Sequence, residues 1–333
     1  MPDINITYLN GPDVTALQLT NDEILHAVEG GLLAAGRGET VIEPRMHLVP
    51  DPEFNGHFNV LRGYVAPLNV AGVKIVGDYV DNYKIGLPSE MAMLYLADPT
   101  NGTPIAMIDA TSITDMRTGA MTALGGKYFG PKNARSMANI GARGSSYWNV
   151  RLLDHLYDFD EIRVHSRRPE SRDPFGQRLS EDLGKNVSVT DNWQDCLDQA
   201  DIMVEASRLP EPEPLFKTQW VKQGALVVPY GTMSSLELDH TDVMDKIFVD
   251  DRGQMNAGHL GALRPHINAG KVSPESVNGE IGEVVAGKIP GRESDSETIL
   301  FWHRGLSTSD IALGYAMLEK ARHLGIGQTL KFA

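Results

Sequence analysis

From residue 128 onward the chain carries six short apolar runs: SMANI (136–140), EIRVH (161–165), VSV (187–189), DIMVEAS (201–207), ALVVPY (225–230) and KIFVDD (246–251). Polar stretches of helix or loop length separate them. Strands covered by helices on both faces read as unbroken apolar runs, whereas half-exposed strands alternate. The spacing therefore predicts a doubly wound α/β domain with a mostly parallel sheet. A Gly- and Pro-bearing loop, GKIPGRESDSE, follows, and then a helix, STSDIALGYAMLEKARHLG, with Ile311, Ala312, Tyr315, Leu318 and Ala321 on one face.

The segment before residue 128 has a different texture. TNDEILHAVEGGLLAAG begins with Thr20 and Glu23 in capping-box spacing and continues with Ile24, Val28 and Leu32, so a helix is expected there. MAMLYL (91–96) and IAMID (105–109) flank DPTNGTP, whose Pro, Asn and Gly suit a tight turn between two strands. Residues 39–110 are accordingly expected to be mostly antiparallel sheet.

Composition narrows the function classes. A formal net charge of −14 argues against non-specific binding to nucleic acid, whose phosphates it would repel. There is no run of eighteen or more apolar residues, and the first residues, MPDINITYLNGPD, lack the basic and apolar regions of a signal peptide. Neither a membrane partner nor export is expected, and the expected compartment is the cytoplasm. Cys196 is the only cysteine, so no intrachain disulfide and no thiolate-rich zinc site can form. It reads as a core thiol. The ten histidines show no H-E-x-x-H spacing, and His155, His165 and His259 look isolated, so no metal is expected. A phosphate-binding G-x-x-x-x-G-K-[ST] is absent too.

Two groups of residues carry candidate chemistry. The first is ANIGARGSSYWN (138–149), a glycine turn leaving an apolar strand and entering a helix-compatible stretch. Helix N-termini offer unpaired N–H groups and a positive dipole end to a pyrophosphate, and Gly141 and Gly144 suit the sharp turn and the close approach. Arg143 replaces the usual second glycine and would lean toward the phosphates or the adenosine. The same residues also suit an ordinary strand-to-helix turn. The next strand ends in VHSRRP, with Ser166, Arg167 and Arg168 where an NAD-selective site normally has an acid. Asp160 and Glu161 lie at that strand's start. Charge favours NADP(H) over NAD(H), the other possibility being two solvated loop arginines.

The second group is basic: Arg45 in EPRMHL, Lys74 in AGVKIVG and Arg117 in TDMRTGAMTAL. Lys74 lies within an apolar run, where an ammonium is costly unless it meets an anion or titrates. Arg117 is expected at a helix N-terminus, a good place to grip a carboxylate. Singly, each also suits a snorkelling or salt-bridged side chain. Together they read as a carboxylate clamp with a proton donor.

With EPRMHL, GVKIV, PTNGTPIAMIDATSITDMRTGAMTAL, VHSRRPE, KIFVDDRGQ, NGEIGEVVAGKIPGR and GLSTSDIALGYAMLEKARHLGIG in place, the chain resembles the ornithine cyclodeaminase and mu-crystallin family over nearly its whole length. The resemblance implies a Rossmann-type doubly wound domain (128–304). It also implies an α+β substrate-binding and dimerisation domain (1–127 with 305–333) and a homodimer. By the family pattern Arg45, Lys74 and Arg117 handle the carboxylate and the amino or imino group of a small substrate, with Lys74 catalytic. Cofactor contacts are expected from Thr118, Gly141, Arg143, Gly144, Ser145, Ser166, Arg167, Arg168 and Thr232. The implied activity is reduction of an imino acid or oxidation of an amino acid.

Departures from the pattern weigh on the alternatives. Cyclodeaminases of the family place an aspartate after the fifth Rossmann strand. Here VVPYGTMSSLELD puts Thr232 and Met233 at that place, and no acid occurs between residues 226 and 236. Ammonia-releasing cyclisation thereby loses its distinctive catalyst, and hydride transfer does not. A cofactor-gated binding protein is the other alternative, and the intact Arg45, Lys74 and Arg117 argue against it. FWHRG (301–305) stands where the family usually has a small residue before the glycine pair of the final helix; Trp302, His303 and Arg304 are expected to narrow the pocket, to add a charge contact, or to pack at the entry to the final helix.

Overall fold

The computed structural model describes residues 3–256 and 260–333. His259 lies outside the described residues. The chain divides into two compact units, one running to Arg117 and resuming at Leu306, the other Thr118–Gly305.

The first unit is built on a sheet of eight strands. These are β1 (Asn5–Leu9), β2 (Thr40–Ile42), β3 (Met46–Leu48), β4 (Gly56–Val65), β5 (Val70–Tyr79), β6 (Glu90–Ala97), β7 (Pro104–Asp109) and β16 (Gln328–Lys331). Their order is β16-β1-β7-β6-β5-β4-β2, with β3 also on β4; β1 and β7 are parallel and every other pairing is antiparallel. Short α1 (Gly11–Ala16) follows β1, and α2 (Asn21–Arg37) and α10 (Ser307–Leu324) pack together, with α10 against β4, β5 and β6.

Local chemistry explains these elements. Thr20 and Glu23 form the expected capping box of α2, the Thr20 N–H donating to Glu23 Oε2 at 2.7 Å and the Glu23 N–H to Thr20 Oγ1 at 3.2 Å. The turn between β6 and β7 is held by Asp98, which accepts from the Thr100 N–H and hydroxyl. Ser307–Gly314 is buried all round, because α10 is covered by the sheet on one side and by α2 on another. Gly314 is needed there: a Cβ would stand 2.1 Å from Leu94 Cδ2.

The second unit has the doubly wound sheet. Its strands are β8 (Ser136–Ile140), β9 (Glu161–His165), β10 (Val187–Val189), β11 (Ile202–Glu205), β12 (Leu226–Pro229), β13 (Lys246–Val249), β14 (Gly279–Glu280) and β15 (Ile299–Trp302). They lie in the order β10-β9-β8-β11-β12-β15-β13-β14, all parallel. Helices α3 (Thr111–Phe129), α4 (Gly144–Tyr157), α5 (Pro169–Leu183), α6 (Trp193–Leu197), α7 (Arg252–Met255), α8 (Arg264–Asn268) and α9 (Ile281–Val285) complete the chain, and α3 runs across the division between the units. Every residue of β11, β12 and β15 is buried, as expected of strands covered on both faces. Phe129 of α3 stacks on Phe248 of β13 with centroids 4.3 Å apart. Cys196 is a core thiol, its pKa pushed up to about 12 by burial.

Two expectations need correction. Trp302 does not pack at a helix entry; it closes β15, a four-residue apolar run bounded by polar residues, and is 1% exposed in the core of the second unit. Arg117 is not at a helix N-terminus. The α3 helix begins at Thr111, whose N–H donates to Asp109 Oδ1 at 2.9 Å, so the polar TSITDM stretch is already helical and Arg117 lies in its second turn.

Candidate active site

Strand alternation aims Lys74 inward. On β5, Lys74 is 1% exposed while its neighbour Ile75, on the opposite face, is 46% exposed. Lys74 Nζ donates to Asp310 Oδ1 at 2.5 Å and to Thr114 Oγ1 at 3.1 Å. Arg117 Nε donates to the same Asp310 oxygen at 2.9 Å. One carboxylate thus balances two cations. Arg45, in the segment between β2 and β3, is close enough for its charge to act on Lys74.

The electrostatics make Lys74 a titrating group near neutrality. Burial lowers its pKa first, the Asp310 carboxylate opposes this, and the Arg117 and Arg45 cations lower it further; the outcome is about 8. At neutral pH the ammonium is present and can give up a proton readily. Asp310 Oδ2 and the buried hydroxyls of Ser307, Thr308 and Ser309 have no hydrogen-bond partner among the described residues. Asp310 Oδ2, on the carboxylate that holds both cations, therefore still has bonding capacity for a small polar ligand.

In the second unit the glycine turn between β8 and α4 is one that only a residue without a Cβ can make. Gly141 has φ +119°, and a Cβ there would lie 2.7 Å from Ser146 Oγ and 3.0 Å from the Ala206 carbonyl oxygen. Arg143, exposed, is the N-cap residue of α4, and Gly144 and Ser145 form its first turn, where N–H groups have no intrahelical acceptor. A network supports this turn. Asn149 Nδ2 donates to Asn139 Oδ1 at 3.1 Å and to the Tyr230 hydroxyl at 2.8 Å, which donates to Ser145 Oγ at 3.1 Å.

Ser166, Arg167 and Arg168 leave the C-terminal end of β9, beside the glycine turn; both arginines are exposed, and Arg167 makes no ion pair among the described residues. Thr232 is exposed after β12, its N–H donating to the Ser207 carbonyl at 3.1 Å. Thr118 is buried on α3. The nine expected cofactor residues are thus divided among the turn into α4, the end of β9, the loop after β12 and α3. His303 follows β15, hydrogen-bonds Thr122 Oγ1 at 3.0 Å and lies 4.6 Å from the Tyr230 ring. Arg304 holds the Gln254 carbonyl at 2.7 Å.

Three side chains in these clusters escaped the sequence reading. Asp310 looks like an ordinary acid in a helix's first turn; its signal was that Lys74 and Arg117 both need an anion. Tyr230 lies at the end of an apolar run with no periodicity to mark it. Glu205, the last residue of β11, is fully buried, and Oε1 accepts from the Ser207 N–H at 2.8 Å. The segment after β12 holds no acid of its own, yet Glu205 lies against it: a Cβ on Gly231 would stand 2.6 Å from Glu205 Oε2.

Comparison with known proteins agrees with this architecture. The family model described as "Ornithine cyclodeaminase/mu-crystallin family" matches residues 9–324. An alanine dehydrogenase of Archaeoglobus fulgidus is 30% identical over 94% of this chain and 95% of its own. The solved structure of Thermococcus litoralis Δ1-pyrroline-2-carboxylate reductase in complex with NADH and L-proline superposes with a TM-score of 0.91 and 25% identity, covering 98% of this chain and 100% of that one. An archaeal alanine dehydrogenase dimer with bound NAD gives a TM-score of 0.90 at 28% identity, over 99% and 100% of the two chains.

Proposed function

Because the chain belongs to the ornithine cyclodeaminase and mu-crystallin family, we propose that it is an NAD(P)-dependent oxidoreductase that reduces a small imino acid or, in reverse, oxidises the amino acid. The observation that carries this reading is the buried set of Lys74, Arg117 and Asp310, with Arg45 close by. Arg45 and Arg117 take the substrate carboxylate, since a guanidinium matches it in a planar, paired geometry. Lys74 gives a proton to the nitrogen in reduction and receives it in oxidation. Asp310 holds Lys74 Nζ and the Arg117 fork in register. It also keeps part of the lysine protonated against the cost of burial.

The bound dinucleotide supplies or accepts the hydride at the carbon bearing nitrogen and carboxylate. Gly141 with Gly144 and Ser145 suits its pyrophosphate, Arg143 flanks it, and Thr118 and Thr232 add hydroxyl contacts. Ser166, Arg167 and Arg168 favour the 2′-phosphate of NADP(H). That preference rests on these side chains, whereas the two relatives above carry NADH and NAD. Assembly as a homodimer is in keeping with the apolar side chains Met46, Leu48, Phe54, Ile75 and Met91, exposed on the first unit.

The test is a panel: amino acids with NAD and with NADP, and keto acids plus ammonia or methylamine with the reduced dinucleotides. Net cofactor turnover on one substrate pair, stronger with NADP(H), is expected. Release of ammonia from ornithine with proline formation and no net change in cofactor would overturn it in favour of a cyclodeaminase.

A further inference from the structure

Glu205 has no part in the scheme above. Its carboxyl ends β11, fully buried, and Oε2 meets no hydrogen-bond geometry among the described residues. It makes no ion pair there. Gly231 lets the loop after β12 close onto it, since any Cβ would collide with both oxygens, at 2.6 and 2.9 Å. Buried carboxyls normally meet a cation or donors on both oxygens. This one has no cation, and its donors, the Ser207 N–H among them, leave Oε2 without a hydrogen bond.

Sheet order locates it. In a doubly wound sheet the dinucleotide lies across the crevice where strand order reverses, each half of the sheet taking one mononucleotide. The reversal here falls between β8 and β11. The half built on β8, β9 and β10 carries the glycine turn and the arginines, which leaves the ends of β11, β12 and β15 to the nicotinamide.

The titratable or charged side chains on surrounding elements are already engaged. Tyr230 after β12 is bonded to Ser145 and Asn149, His303 after β15 to Thr122, His165 on β9 to the Thr190 carbonyl, and Asp250 after β13 to the N–H groups of Arg304 and Gly305. Arg208 lies in the loop that follows Glu205 and has interactions of its own. Burial raises the Glu205 pKa, opposed by the Ser207 hydroxyl and N–H, the Ser235 hydroxyl and the Gly231 N–H.

An oxidised nicotinamide ring bears one positive charge and a reduced ring none. We propose that Glu205 answers that charge: it is protonated with the reduced dinucleotide and releases its proton to solvent when the oxidised form binds, leaving a carboxylate to balance the ring. Binding of the oxidised form then frees up to one proton per subunit, and binding of the reduced form frees none. As pH rises the oxidised form is held more tightly. The inference rests on the reading that the chain binds a nicotinamide dinucleotide.

Calorimetric titration of the full-length protein with NADP+ and with NADPH, each in two buffers of different ionisation enthalpy, tests it across roughly pH 6 to 9. The 2′-phosphate is common to both ligands, so its own titration cancels. Expected are proton release on NADP+ binding only, a Kd for NADP+ falling by up to about tenfold per pH unit, and loss of both in Glu205→Gln with NADPH affinity unchanged. Equal proton counts for the two forms in the parent protein overturn the proposal without any variant. A release that survives in Glu205→Gln and vanishes in Lys74→Met overturns it too. If neither form binds, the functional reading fails as well.

Discussion

In the first unit two cations share one carboxylate in the middle of a sheet-and-helix core, whereas in the second a carboxyl is buried among hydroxyls and N–H groups without an ion pair among the described residues. The difference follows from sheet type. An antiparallel strand alternates, so β5 can point a lysine inward at one position and an isoleucine outward at the next, and the chemistry sits on a sheet face. A parallel strand covered on both sides has no spare face. Its functional groups gather at the C-terminal ends, where turns leave N–H groups and short polar side chains to work with. The first arrangement presents full charges to whatever enters it, and the second presents mostly dipoles.

Removing the charge at the centre of the first cluster should separate the two regions most clearly. Lys74→Met is expected to lower turnover by about 10²–10⁴-fold while the Kd for NADPH stays at the parent value. An equal loss of cofactor affinity would show that the clusters do not have separate tasks. Asp310→Asn comes next, with kcat/KM down by roughly 10- to 100-fold and a displaced pH profile. In the parent protein imine reduction needs protonated Lys74, so it should decline above its pKa of about 8, while amino-acid oxidation should rise toward that value. Asp310 raises the lysine's pKa, so its loss moves both limbs to lower pH; an unmoved profile would remove Lys74 from the proton transfer.

Arg117→Lys keeps the charge and loses the planar fork. Substrate KM should rise about tenfold with cofactor Kd unchanged, and the opposite pattern would reassign the residue. The smallest effect belongs to the other unit. Arg167→Asp should weaken NADPH by about five- to tenfold through one lost charge-assisted contact and leave NADH and substrate KM where they were. Equal affinity of the parent protein for NADH and NADPH would end the argument for the 2′-phosphate.

How much of this was legible in the sequence depends on distance along the chain. The parallel sheet announced itself because each buried strand is a local apolar run between polar segments, and α2 did so because its capping box spans four residues. The three cations were visible because charge inside apolar text is anomalous wherever it occurs. Asp310 was not, since nothing local distinguishes an acid that caps a helix from one that has travelled 236 positions to meet Lys74. Strand β15 is hard to see in the sequence because ILFW is short and leads directly into the polar HRG. Glu205 hid inside DIMVEAS, where a strand-terminal acid reads as the solvated end of an apolar run; only the closure of the Gly231 loop over it makes it a buried group.

The split of the first unit around the second also has a consequence for synthesis. The second unit is one uninterrupted stretch, so it can fold as soon as its own residues have emerged. The first unit cannot, because α10, which fills its core and brings Asp310, is made only after the whole of the second unit. At ordinary elongation rates Lys74 waits on the order of 10–50 s for its carboxylate after leaving the ribosome's catalytic centre. During that interval the sheet has neither its covering helix nor its counter-charge, and β4, β5 and β6 expose apolar surface on both faces. The most vulnerable period of this molecule's synthesis should be the interval between the emergence of β6 and that of α10, and slowing translation after residue 305 should increase aggregation of nascent chains more than slowing it before residue 118.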